Sequence, residues 1–211
     1  MNGALQLTGY RHSVYTWSAR LALTEAGAGF GFVDLDPFTA EGLAALTPLQ
    51  PFGRVPVLEH GAFRLWETAA ILDYVDAEFA AGRLTPEAPR ARARMRQVIG
   101  IVDAYGYWPL VRQVFSHGFY AGNAGDPAEV SAGLMRAATV LDTLEEIAAE
   151  GLVLTPHAMC LASCHLLPML DYFVRVPVGD RALHRRRALT RWYEATSACD
   201  AAMRTRPDLS A

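Results

Sequence analysis

The sequence has 211 residues, 52% of them hydrophobic and 19% charged, which is enough for one large core or two smaller ones; its net charge of −3 supplies no basic footprint for nucleic acid. No lysine occurs, so all 19 basic residues are arginine, and neither lysine Schiff-base chemistry nor the lysine-bearing phosphate loop is available. No apolar run reaches the roughly 18 residues of a bilayer span, "MNGALQLTGYRH" carries no basic leader, and three cysteines make no disulfide framework, so membrane insertion and export are not expected and a cytoplasmic setting fits.

In chain order, "ALQLTG" reads as a strand, and "VYTWSARLALTEAGA" as a helix with Trp17, Leu21 and Ala22 on one face and Gly27 closing it. "FGFVDLD" is a second strand, ended by Pro37; "TAEGLAAL" is a short helix with Thr39 as N-cap. "VPVLEHGAFRLW" is a hairpin turning at His60-Gly61, where glycine supplies a positive φ, and "ETAAILDYVDAEFA" is a helix with Ile71, Leu72, Val75 and Phe79 at helical spacing. The order is β-α-β-α-β-β-α. One residue stands out: Pro56 opens a strand although it cannot donate a ladder hydrogen bond.

"GRLTPEAP", residues 82–89, has the composition of a domain linker. Beyond it the pattern is helical. "RARARMRQVIGIVDAYGYWPLVRQVFSHGFY" is one long helix with a kink expected at Pro109; its Arg90, Arg92, Arg94 and Arg96 step by two and so spread over solvated faces, as does the run Arg185 to Arg187. "PAEVSAGLMRAATVLDTLEEIAAEG" carries the stripe Val130, Leu134, Ala137, Leu141, Leu144 and Ala148. "TPHAMCLASCHLLPMLDYFVR" is apolar nearly all round and is expected as the buried central helix, and "DRALHRRRALTRWYEATSACDAAMR" gives one or two more. His157, Cys160 and Cys164 recur at i, i+3 and i+7, but no complementary cluster exists elsewhere; core packing is the reading and no metal is expected.

Four features together resemble the glutathione transferase superfamily, in its serine-type, bacterial-like form. They are "PFGRVPVLEHGAFRLWETAAILDYV", "SVYTWSARLALTEAG", a linker near residue 85, and an all-helical remainder containing "HLLPML". The resemblance implies an α/β plus all-α protein: a thioredoxin-like domain over residues 1–81 that binds glutathione, and an all-helical domain over residues 88–211 that forms the second substrate's pocket. It also implies a homodimer and a role in detoxification.

Site residues follow from the same resemblance. A cis bond before Pro56 would turn Val55 outward, so that its N–H and C=O pair with the cysteine backbone of glutathione. Glu67 and Thr68 open a helix whose free N–H groups favour an anion such as the γ-glutamyl carboxylate, with Glu67 placed to pair with the α-ammonium; capping alone is the competing explanation for both residues. Gln50 and Arg54 complete the glutathione-binding set. Thr68 stands where relatives often have serine, and Gln50 where asparagine is frequent.

Ser13 matches the family's serine at the start of the first helix, where it would hydrogen-bond the glutathione sulfur; as a plain N-cap it would contribute only about 1 kcal/mol. A free thiol with a pKa of about 8.5 is only slightly ionised at neutral pH, so a donor to the thiolate matters. Tyr10 competes for that role, and Tyr15 less so. His12 is either a substrate contact or an exposed loop residue, and Tyr105, Trp108 and Arg112 are candidates for the second-substrate pocket. Glutathione is thus expected as co-substrate and a small electrophile as its partner, with a non-catalytic binding or interaction protein and a glutathione-dependent isomerase or dehalogenase as alternatives.

One departure carries its own expectation. Where relatives begin the buried helix with Ser or Thr and place Asp three residues on, this chain has Cys160 and Ser163. Thr155-Pro156 offers another N-cap, so the helix is predicted to start near Thr155.

Overall fold

The computed structural model describes residues 3–209, and the chain folds into two compact units, residues up to 83 joined by those from 200 onward, and residues 84–199. The expected domain bounds extend to residues 1–2 and 210–211, which lie outside the described residues.

In the first unit, β1 (Leu5–Gly9), α1 (Val14–Glu25), β2 (Gly31–Asp34), α2 (Ala40–Leu46), β3 (Val57–His60), β4 (Phe63–Trp66) and α3 (Thr68–Phe79) follow the order read from the sequence. The sheet runs β2-β1-β3-β4, with β1 and β2 parallel and the other pairings antiparallel. Trp17, Leu21 and Ala22 are fully buried together with Leu7, Ile71, Leu72 and Val75, so the apolar faces of α1 and α3 close over the sheet. Gly61, at φ +60°, makes the two-residue hairpin turn, and Gly27, at φ +73°, follows α1. α9 (Asp200–Thr205) belongs with this unit and packs on α1, where Trp17 Nε1 donates to Thr205 Oγ1 at 2.9 Å. The division expected from sequence places these residues with the helices of 88–211; a buried indole N–H needing an acceptor draws the chain end back instead.

The second unit is helical. α4 (Pro89–Ile101) passes into wider, π-helical winding over Val102–Gly106 and Trp108–Tyr120. The chain stays helical through Pro109, which has no N–H to give and sits within the stretch whose bonds run i→i−5. α5 (Pro127–Ala149) buries Ala137, Leu141, Leu144 and Ala148 of its expected stripe, while Val130 and Leu134 are half-buried. All residues of α6 (Leu161–Phe173) are buried, and Tyr172 meets Phe115 with ring centroids 4.3 Å apart. α7 (Pro177–His184) and α8 (Arg187–Ser197) complete the unit; α8 opens with the Ala188 and Leu189 N–H groups donating to the two carboxylate oxygens of Glu145, at 3.0 and 2.8 Å.

The start of α6 corrects the sequence expectation. Helix begins at Leu161, not near Thr155, and Leu154 at φ +53° breaks the backbone just before Thr155. Cys160 takes the N-cap position without a side-chain bond to a backbone N–H of the helix, its Sγ lying instead 3.5 Å from Ser163 Oγ, and the Leu161 N–H is satisfied by the carbonyl of Leu84 at 3.0 Å. A tertiary acceptor thus does part of what a cap would have done. Because His157 is exposed and outside the helix, it shares no helix face with the buried Cys160 and Cys164. No helix among the described residues is long and apolar enough to cross a membrane.

Candidate functional site

Strand register gathers the candidate residues of the first unit at one end of its sheet. Thr8 pairs with Val57, and Val57 with Trp66, so the loop leaving β1, the approach to β3 and the exit from β4 lie side by side. Those segments are Tyr10–Ser13, Val55–Pro56 and Glu67–Thr68. The parallel pairing of Gly9 with Asp34 brings the end of β2 to the same place. Segments far apart in the chain are therefore neighbours because three pairings share one register.

Ser13 is the N-cap of α1, with extended backbone, and its Oγ accepts the Thr16 N–H at a long 3.3 Å. Its own N–H donates to the Tyr10 carbonyl at 2.9 Å, closing the turn. Among the described residues its hydroxyl hydrogen has no acceptor, so one donor remains on a half-buried oxygen. The first turn of α1 contains no acidic residue, and the positive end of the helix is left uncompensated there.

The rival donor is engaged. Tyr10 OH and His12 Nδ1 lie 3.2 Å apart with their rings edge to face, and the Tyr10 ring also meets Phe38. His12 is half-buried against Tyr10 instead of lying open in the loop.

Val55 and Pro56 are joined by a cis peptide bond. Val55 itself is half-buried, precedes the first ladder pair at Val57, and keeps both its N–H and its C=O free of hydrogen bonds among the described residues. A backbone donor and acceptor at the mouth of a strand are what an extended peptide would pair with. The loop before it is held by Gln50: this buried amide accepts the Phe52 N–H at 2.7 Å and donates to the Arg54 carbonyl. Gln50 thus shapes the 50–54 turn from within, while the Arg54 side chain is exposed and unpaired among the described residues.

At α3 neither Glu67 nor Thr68 caps the helix. Glu67 occupies the N-cap position at φ 69°, ψ 115° without a side-chain bond, and Thr68 is 8% exposed with no hydrogen-bond partner for its side chain among the described residues. Capping alone therefore does not account for this pair. A non-glycine residue at positive φ costs about 1–3 kcal/mol and is found chiefly at functional sites. The strain turns the exposed Glu67 aside and leaves the first N–H groups of a 12-residue helix uncovered by its own side chains.

Sequence reading missed one contact in this cluster: Asp34 Oδ1 accepts the Arg11 N–H at 2.9 Å, and Asp34 Oδ2 pairs with Arg11 Nε. Only the β1–β2 register brings the two together, and no local pattern signals it. Tyr105, Trp108 and Arg112 belong to the second unit. Tyr105 and Trp108 are 68% and 57% exposed, and Arg112 is exposed with no partner among the described residues. No group of three His, Cys, Asp or Glu among the described residues is placed to hold a metal ion.

Residues 3–77 match the glutathione S-transferase N-terminal domain. Glutathione S-transferase F14 of Arabidopsis thaliana is 27% identical over 195 residues, covering 87% of this chain and 76% of the relative. Glutathione S-transferase 1 of Dianthus caryophyllus is 33% identical over 101 residues, 47% of this chain and 46% of the relative. The solved structure of glutathione transferase F7 from Populus trichocarpa superposes with a TM-score of 0.81 at 23% identity, over 96% of this chain and 97% of that one. A maleylacetoacetate isomerase from Anaeromyxobacter dehalogenans, solved with glutathione bound, gives a TM-score of 0.76 at 24% identity over 99% and 98%. These likenesses establish the fold as a thioredoxin-like N-terminal portion followed by an all-helical one.

Proposed function

We propose that the chain is a glutathione transferase, a reading supported by the match of residues 3–77 to the glutathione S-transferase N-terminal domain, and that it binds glutathione at the β1, β3 and β4 end of its sheet and transfers the thiolate to an electrophilic small molecule. The observation that carries this reading is the convergence of three unspent features at one register: the Ser13 hydroxyl, the Val55 backbone pair and the uncapped start of α3. Each matches one part of the tripeptide. Val55 would pair with its cysteine backbone, and the α3 N–H groups with Thr68 would hold the γ-glutamyl carboxylate, while Glu67 faces the α-ammonium. Gln50 would keep the 50–54 turn in shape, with Pro56 setting the approach of the strand and Arg54 offering a free cation beside it.

Ser13 would donate to the sulfur. A hydrogen bond to a charged group is worth about 1.5–3 kcal/mol, or roughly one to two pKa units, so it raises the thiolate fraction near neutral pH. The thiol proton passes to solvent, the sulfur lone pair forms the new carbon–sulfur bond, and the electrons displaced from the electrophile leave with its departing group or settle on its activated system. Tyr10 and His12, and on the helical unit Tyr105, Trp108 and Arg112, are proposed contacts of the electrophile. A cytoplasmic homodimer completes the reading, on the resemblance to glutathione transferases, and sedimentation at several concentrations tests the assembly.

Isothermal titration with glutathione, followed by turnover of a generic aromatic electrophile, tests the function. Binding with turnover that Ser13→Ala removes supports it. Binding without turnover of any electrophile, halide or isomerisable substrate favours the non-catalytic alternative, and no heat at millimolar glutathione refutes the site.

A further inference from the structure

We infer that Asp34, at the end of β2, is the residue that positions the Ser13 turn for its work on the sulfur; this rests on the proposed role of Ser13. The Tyr10–Ser13 turn leaves β1 at Gly9, the residue paired with Asp34. Leu35 N–H donates to the Gly9 carbonyl at 2.9 Å, fixing the base of the turn, and the neighbouring Asp34 carboxylate takes two donors from Arg11: the backbone N–H at 2.9 Å and the side-chain Nε. Ser13 N–H to Tyr10 O then closes the turn. The path from β2 to Ser13 is a short chain of backbone bonds, with the Asp34 carboxylate as a side-chain link to Arg11. Within the turn Tyr10 and His12 contact each other, the Phe38 ring packs on Tyr10, and Asp36 nearby accepts the Phe38 N–H.

The two halves of the Arg11 contact are unequal. The guanidinium is 58% exposed, and an ion pair so placed holds little. A bond from the backbone N–H to the carboxylate sets where the chain runs, and misplacement of a reacting group by an ångström can lower rates by about a hundredfold. The inference is therefore that the acceptor on Asp34, not the arginine charge, governs catalysis.

Comparing Asp34→Ala, Asp34→Asn, Arg11→Ala and Ser13→Ala in the full chain tests this by the pH profile of kcat/KM and the thiolate absorbance of bound glutathione. Asp34→Ala is expected to lose about tenfold in kcat/KM near neutral pH, to recover most of it at alkaline pH where the thiol ionises unaided, and to keep its KM for glutathione. Asp34→Asn retains an oxygen for the Arg11 N–H and should restore most of the activity, and Arg11→Ala should fall by less than Asp34→Ala. Equal losses in Asp34→Ala and Arg11→Ala, or a loss uniform across pH that tracks melting temperature, would overturn the inference. If Ser13→Ala shifts the profile and Asp34→Ala does not, the positioning role alone falls. If Ser13→Ala itself keeps the native profile, the serine reading falls and this inference with it.

Discussion

Helices α1 and α6 both bury most of their length, yet they begin in different chemistry. At α1 a hydroxyl sits in the N-cap position, spends one long bond on the helix and keeps its hydrogen. At α6 a cysteine holds the corresponding place and makes no cap bond, and the first N–H is met by the Leu84 carbonyl from far along the chain. The helix that begins with a half-committed polar group has something left for a ligand. The helix that begins on a tertiary contact has its first-turn hydroxyl already occupied: Ser163 Oγ accepts the Trp192 Nε1–H at 3.3 Å and lies 3.5 Å from Cys160 Sγ.

The largest expected effect lies in that packing. Leu167→Ala, in the fully buried α6, should lose about 2–5 kcal/mol of stability, measured by urea unfolding; a smaller loss would mean that α6 is not the core of its unit. Next comes Ser13→Ala, which should separate the two jobs of that hydroxyl. It should lower kcat/KM by about 10- to 150-fold, the loss of roughly 1.5–3 kcal/mol of thiolate stabilisation, and yet cost no more than about 1 kcal/mol in unfolding, because the cap bond is long. Equal energies in both measurements would make Ser13 a structural cap.

Smaller still are the substitutions that would make the two helix starts alike. Cys160→Ser places an oxygen acceptor at the N-cap of α6 and should gain about 0.5–1 kcal/mol, whereas Thr155→Ala should stay within about 0.5 kcal/mol, since Thr155 lies outside the helix. The smallest effect belongs to a long-range pair left at the surface. The Arg94 hydrogen bond, with its charge, holds the Glu150 carboxyl below its ordinary range. A lowered folded-state pKa contributes stability that is complete above the unfolded value and is lost as pH falls through the folded one. Glu150→Gln should therefore slightly flatten the acid limb of stability against pH, and added salt should erase the difference from the parent. A salt-insensitive difference would show the pair to be less solvated than its exposure indicates.

How far each helix start can be read from sequence follows from the same contrast. Ser13 before an apolar helical period is a local signal, as are Thr39 before α2 and Gly61 in the hairpin. The start of α6 escapes such a reading because Thr155-Pro156 is a sound local cap, while the competing factors are a left-handed Leu154 and a carbonyl at Leu84 that no neighbouring residue announces. The place of α9 escapes it for a similar reason, since Trp17 and Thr205 are 188 residues apart.

Within the candidate site, types and order of residues are legible in the sequence and their commitments are not. That Glu67 and Thr68 leave α3 uncapped, that Gln50 turns inward to hold a loop, and that Asp34 grips Arg11 are matters of where hydrogen bonds close. By itself the sequence determined the alternation of strand and helix, the helical second half and the identity of the polar residues at each turn, because those depend on side-chain period and local backbone preference. Tertiary structure alone decided which of those polar groups are spent and which remain. A donor is free only when every possible acceptor has been placed, and strand register, not neighbourhood in the chain, placed them here.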